Sequence, residues 1–146
     1  MSKTSILAAV DLQHEASDRH VAKEAIGLAE SHGADLHLVF VIPDQHHSYV
    51  QNYVSQEMKA QVEVDARNEI KAFANTLDSG DIAVSTHVCR GTVYGEIISL
   101  SAELGADFVV IGSNRPGLSD FFIGPNAARV ARHAECSVLV VRPVRG

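Results

Sequence analysis

Ile111-Gly112-Ser113-Asn114-Arg115-Pro116-Gly117-Leu118-Ser119-Asp120-Phe121-Phe122-Ile123-Gly124-Pro125 opens a stretch that runs on to Val138-Leu139-Val140-Val141. In order, it reads as the end of an apolar strand, a loop of small and polar residues, a helix beginning at Gly124-Pro125, and a closing apolar strand. Pro125 suits a first helical position, where its fixed φ fits and its missing N–H would have had no partner. A loop of this kind between a parallel strand and a helix N-terminus is where backbone N–H groups hold phosphate.

Working outward, five short apolar runs have strand length: Ile6 to Val10, Leu36 to Ile42, Ile82 to Val88, Phe108 to Ile111, and Val138 to Val141. Segments with helical spacing separate them. The first, Ser17 to His32, places Val21, Ala25, Leu28 and Ala29 on one face, with Ser17 as its cap and Gly33 as its stop. A second, about Ser55 to Leu77, repeats Met58, Val62, Ala66, Ile70, Phe73 and Leu77 against charged residues. The third follows Thr92 as N-cap and carries Ile97, Leu100 and Leu104 before Gly105, and the fourth runs from near Pro125 to His133 or Ala134. Strict alternation of strand and helix predicts a doubly wound α/β domain, a parallel sheet with helices on both faces. Ligands of such sheets sit beyond the carboxyl ends of the strands where strand order reverses, so the loops after Val10, Ile42, Val88 and Ile111 form the functional rim.

Bulk properties narrow the function. A chain of 146 residues, 46% of them hydrophobic, is one domain with an ample core. Its formal charge of −6, with basic residues scattered, argues against nucleic-acid partners. Met1-Ser2-Lys3-Thr4 leads directly into the apolar segment Ser5 to Val10, too short and too poorly flanked for a signal peptide or membrane span, which predicts a cytoplasmic protein with no membrane insertion. Cys89 and Cys136 have no C-x-x-C spacing and read as two buried thiols in a reducing compartment. The final strand is apolar on both faces and no helix follows it. Its open edge is covered either by the protein's own helices or by the same strand of a second copy across a two-fold axis, and the second reading is favoured.

Several chemistries are excluded by what is missing. There is no G-x-x-x-x-G-K-S/T, no G-x-G-x-x-G after the first strand, where the turn reads Asp11-Leu12-Gln13-His14, and no G-x-S-x-G elbow. His46-His47 is the one adjacent histidine pair, without a supporting cluster for a metal, and no metal ligand is assigned. His133 suits the C-terminal end of the last helix dipole, while His37 and His87 are strand residues. Asp44 to Asn52 reads as a polar loop near the rim. Asp11, ending the first strand, is either a carboxylate aimed at a ribose hydroxyl or base amine, or an N-terminal cap or loop residue. Gly112, Gly117 and Gly124 allow close backbone approach, Ser113, Asn114, Ser119 and Asn126 add neutral hydrogen-bonding groups, and Arg115 is the loop's cation.

From Ile6-Leu7-Ala8-Ala9-Val10-Asp11, through Gly105-Ala106-Asp107-Phe108-Val109-Val110-Ile111-Gly112-Ser113, to Arg132-His133-Ala134-Glu135-Cys136-Ser137-Val138-Leu139-Val140-Val141-Arg142, nearly the whole chain resembles a single-domain universal stress protein. The resemblance implies a five-stranded sheet of order 3-2-1-4-5, a homodimer through the strand Val138-Val141, and an ATP site, with or without Mg2+. ATP-binding members carry G-x-x-G-x(9)-G-S/T in this loop. Here Gly112 and Gly124 match the outer glycines at an interval one residue short, Arg115 stands for the middle glycine, and Pro125 for the closing Ser/Thr. Pro125 removes a donor worth about 0.5–1.5 kcal/mol, while Arg115 supplies charge-assisted contacts worth about 1.5–3 kcal/mol each. By analogy, Ala9, Asp11 and Val41 contact the adenosine, Gly112 approaches the ribose, and Gly117, Gly124, Pro125 and Asn126 line the phosphates, with Ser113 and Arg115 beside them. The function implied is that of a dimeric stress-response module that binds adenine nucleotide and is recognised by another protein. The alternatives are a nucleotide-free scaffold and a slow ATPase or self-phosphorylating enzyme. No catalytic residue is assigned, Asp120 being the loop's one acid.

Overall fold

The computed structural model describes residues 4–44, 55–113 and 123–143. Five strands, β1 (Ser5–Ala9), β2 (Asp35–Pro43), β3 (Val84–Gly91), β4 (Phe108–Gly112) and β5 (Ser137–Val141), alternate with α1 (Glu15–His32), α2 (Gln56–Asn75), α3 (Val93–Leu104) and α4 (Pro125–His133). All neighbouring strands pair in parallel, in the order β3-β2-β1-β4-β5. The chain therefore moves outward from β1 to β3, crosses back, and continues from β4 to β5. The reversal lies between β1 and β4, where Leu7 is in register with Val109.

Each face of the sheet carries its own core. On one side Ile6, Ala8, Leu36, Leu38 and Val110 pack against Val21, Ala25, Ile26 and Ala29 of α1 and Ile70 of α2. On the other, Leu7, Val39, Val41, Val109 and Ile111 meet Ile97 and Leu100 of α3 and Ala127 and Val130 of α4. β1 is closed off on both sides: Ile6, Leu7 and Ala8 have 0% exposure. Among the described residues no helix is long and apolar enough to cross a membrane.

Local signals set most helix ends. Gly33 and Gly105 stop α1 and α3 in the left-handed conformation, with φ of 60° and 62°. The Ser55 hydroxyl caps α2 by accepting from the Met58 N–H at 3.1 Å. Three expectations need correction. α1 begins at Glu15 and not at Ser17: His14 is its N-cap position, with the His14 carbonyl accepting from the Asp18 N–H at 3.0 Å and no side-chain cap bond formed. β3 runs to Gly91 and not Val88, since Cys89, Arg90 and Gly91 find partners in Val41, Ile42 and Pro43 of β2. Ile82 instead closes a turn, its N–H donating to the Ser79 carbonyl. On α2 the apolar face is buried only from Ala66 onward, with Met58 and Val62 exposed.

Cys89 and Cys136 are free and half-buried, and burial raises both thiols above their ordinary value. His37 on β2 and His87 on β3 form a part-buried pair, Nδ1 to Nε2 2.9 Å apart. Burial lowers the pKa of both, and the charge of His37 lowers that of His87 further. A lowered pKa means that the unfolded chain takes protons before the folded one. Stability therefore falls as pH drops below the ordinary 6.5 of imidazole.

Two outcomes are expected. Leu7→Ala should cost about 2–5 kcal/mol of unfolding free energy in urea titration, as for other large-to-small changes in a closed core. Acidification from about pH 7.5 to about pH 5 should cost the native protein more stability than a His37→Gln/His87→Gln double variant, and equal losses would show that the pair does not drive the acid response.

Candidate functional site

At the carboxyl ends of the strands, over the reversal between β1 and β4, lies a cleft of roughly 520 Å3. Its floor is apolar, formed by Ala9, Val39, Val41 and Ile111, with Val93 and Ile97 of α3 to one side. One wall is the turn from β1 into α1, with Asp11, Gln13, His14 and Asp18. The facing wall is the junction of β4 and α4, with Gly112, Ser113, Gly124, Pro125 and Asn126. Of the residues predicted from sequence, Ala9, Asp11, Val41, Gly112, Ser113, Gly124, Pro125 and Asn126 thus converge on one cavity. Arg115, Gly117, Asn114, Ser119 and Asp120, as well as His46, His47 and most of the Asp44 to Asn52 stretch, lie outside the described residues.

The β4–α4 wall is drawn together by two main-chain bonds at Ser113, a buried residue. Its N–H donates to the Val141 carbonyl at 2.8 Å, and its carbonyl accepts from the Gly124 N–H. The chain therefore leaves β4 and returns to start α4 almost at the point of departure. This closure changes the expected count of phosphate donors. The Gly124 N–H is spent on Ser113 and Pro125 has none, which leaves Asn126 and Ala127 as the first-turn amides of α4 without an intrahelical acceptor. A helix start with two such amides still favours an anion.

The β1–α1 wall is organised by two carboxylates. The Asp11 Oδ1 accepts from the N–H groups of Gln13 and His14 at 2.9 and 3.0 Å, and its Oδ2 lies 2.8 Å from the His14 Nδ1. Asp11 thereby ties down the turn that precedes α1, while its carboxylate stays half-exposed at the cleft, 48% accessible. It is a loop residue and not the helix cap: the N-cap position is His14, which makes no side-chain cap bond. A carboxylate has about four lone-pair sites, and three are in use. Burial raises the Asp11 carboxyl, but the bonds from His14 and Gln13 outweigh it and hold the pKa below its ordinary value.

Sequence reasoning missed Asp18. It is 4% exposed, and its Oδ1 and Oδ2 accept from the N–H groups of Asp11 and Leu12 at 3.0 and 2.9 Å. Burial, opposed by these two bonds and reinforced by the nearby Asp11 charge, pushes its carboxyl up to about 6. Leu12 between them has a φ of 61°, a left-handed conformation that costs a branched side chain about 1–2 kcal/mol. The signal was present in the sequence: Asp18 stands on the stripe Val21, Ala22, Ala25 and Ala29, an acid on the apolar face of a helix.

The turn bonds of Asp11 make its removal measurable without any ligand. Asp11→Ala should lower stability by about 0.5–1.5 kcal/mol in chemical denaturation, the range for a lost hydrogen bond. A change within error would mean that Gln13 and His14 N–H groups are satisfied equally well by water.

The description "Universal stress protein family" belongs to a family model that matches residues 3–142 of this chain. Universal stress protein G of Escherichia coli O157:H7 is 37% identical over 146 residues, covering 97% of this chain and 100% of that relative. Among solved structures, universal stress protein UspA from Lactobacillus plantarum superposes with a TM-score of 0.71 at 23% identity, covering 97% of this chain and 99% of the other. The universal stress protein from Archaeoglobus fulgidus in complex with dAMP gives a TM-score of 0.67 at 17% identity, covering 97% and 100%. With the sheet order, the cleft at its reversal and a match along nearly the whole chain in agreement, this chain belongs to the universal stress protein family.

Proposed function

We propose that the protein binds an adenine nucleotide in the cleft over the β1/β4 reversal and acts as a dimeric stress-response module. The observation that carries the reading is the convergence of three chemically distinct surfaces in one cavity of ligand size. Val39, Val41 and Ala9 offer an apolar bed for a flat base. Asp11 keeps an unused acceptor site for a ribose hydroxyl. The α4 start offers the amides of Asn126 and Ala127 to a phosphate, at the end of a helix whose dipole favours negative charge. The Archaeoglobus fulgidus relative of this fold, solved with dAMP, supports the choice of an adenylate.

ATP, with or without Mg2+, is the nucleotide proposed, with Gly117 among the residues lining its phosphates and Arg115 beside them, as the family resemblance implies. Homodimer formation is proposed through β5. Among the described residues that strand ends the sheet and pairs with β4 alone, and it keeps Val138, Leu139 and Val140 only half-buried. An unpaired apolar edge of this kind is a template for a second copy. The dimer would be recognised by a further protein in the cytoplasm.

Thermal-shift titrations with adenosine, AMP and Mg-ATP test the nucleotide reading. A ligand at about 100 times its dissociation constant should stabilise the fold by about 2.7 kcal/mol, and melting curves unmoved by all three at millimolar concentration would end the proposal. Sedimentation equilibrium should give twice the chain mass, and a monomer at high micromolar concentration would remove the β5 dimer.

A further inference from the structure

We propose that Asp18 is a positioning residue for this site: its buried carboxylate holds the backbone of Asp11 and Leu12 so that the Asp11 carboxylate meets the ligand's ribose, and it does so only while ionised. The inference rests on the adenine-nucleotide reading above and adds a proton-dependent control to it.

The geometry runs through three linked steps. Asp18, fixed one turn into α1 and almost fully buried, receives one N–H on each of its two oxygens, from Asp11 at 3.0 Å and from Leu12 at 2.9 Å. Those bonds hold Leu12 at a φ of 61°, in a region that side-chain-bearing residues seldom occupy. The turn so formed directs the Asp11 side chain back over the Gln13 and His14 N–H groups and leaves it at the lip of the cleft. Asp18 thus makes no use of the ligand itself. It sets the main chain from which the ligand-facing group hangs.

Both acceptor oxygens are needed at once, which gives the proton its effect. An ionised carboxylate is acceptor-only, whereas a protonated one turns one oxygen toward being a donor. A proton on Asp18 would set an O–H against one of the two N–H groups, and the strained turn would lose one of its ties. The charged and titratable groups that act on Asp18 are Asp11 and His14, both in the turn before α1. From the strands against which α1 packs, the groups along this side are Val10 of the β1 end, Phe40 of β2, Gly112 and Ser113 at the β4 end and Val141 of β5, all without charge; Arg142, just past β5, and His20 of α1 line the neighbouring pocket beside Ser17. Burial has already brought the Asp18 carboxyl up to about 6, so the change falls within a cell's accessible pH range. The sign follows: the turn is held above that value and released below it, and ligand affinity declines as the medium becomes acid.

Adenosine is the probe, because it has no group that titrates in this interval. Its dissociation constant is measured by calorimetry on the full chain between about pH 8 and about pH 5. The wild type should weaken about fivefold or more, with a midpoint near 6. Asp18→Asn should bind at the weaker level throughout, with no step. Imidazoles change charge in the same interval, so His14→Gln is run alongside and should retain the step. In ligand-free wild type the backbone amide resonances of Asp11 and Leu12 should titrate together at the same midpoint, a readout available even if Asp18→Asn does not fold. Adenosine binding that is equal at both pH extremes, or amides that do not move, would overturn the positioning role while leaving the nucleotide reading intact. No adenosine binding at any pH would overturn both.

Discussion

A parallel sheet can bury its central strand only if helices cover both of its faces, and everything described above depends on that condition being met at β1. Ile6 and Ala8 point to the α1 and α2 side, Leu7 to the α3 and α4 side, and none of the three reaches solvent. Once β1 is enclosed, the chain must leave it through a turn at the carboxyl end, and β4 must enter on its other flank. The cleft is the space left between those two exits, where α1 and α4 diverge. It is a result of topology before it is a result of any side chain.

The side chains then give that space polarity, at some expense to the fold. Asp18 occupies a core position of α1, and its carboxyl stands near 6 against an ordinary value of 3.8. A raised carboxyl contributes stability that is complete below the ordinary value and lost as pH rises through the higher one. At neutral pH, holding Asp18 ionised therefore costs the folded state about 3 kcal/mol. Leu12 adds strain in the same turn. Two unfavourable choices in residues that touch each other, both beside the cleft, are the pattern expected of a functional site.

Much of this was legible in the residues because the deciding signals are local. Gly33 and Gly105 end helices, Ser55 begins one, and Gly124-Pro125 opens another, each through the conformation of a few neighbouring atoms. The expectations that failed lacked such a signal. β3 gains Cys89 to Gly91 because β2 continues beside it, a pairing no window around Val88 contains. α1 starts two residues early, its N-cap at His14 making no side-chain bond that a capping residue in the sequence could announce. Met58 and Val62 have the period of a buried face, yet periodicity alone does not say how far along a helix its cover extends. In the site, Ala9, Val41 and Gly112 were reachable from family pattern and strand position. Asp18 is the residue that the apolar stripe of α1 could have revealed, since its neighbours at helical spacing, Val21, Ala22 and Ala25, are all apolar.

The bond between the Ser113 carbonyl and the Gly124 N–H has a wider implication. It fastens the two ends of the intervening segment to each other, so sheet and helix are held in register without reference to what is strung between them. Lengthening such a tethered segment is thermodynamically mild, each doubling adding only about 0.6 kcal/mol of closure entropy. The junction of β4 and α4 is thus fixed by its own main chain, and a change in the number of residues joining Ser113 to Gly124 would leave that junction in place.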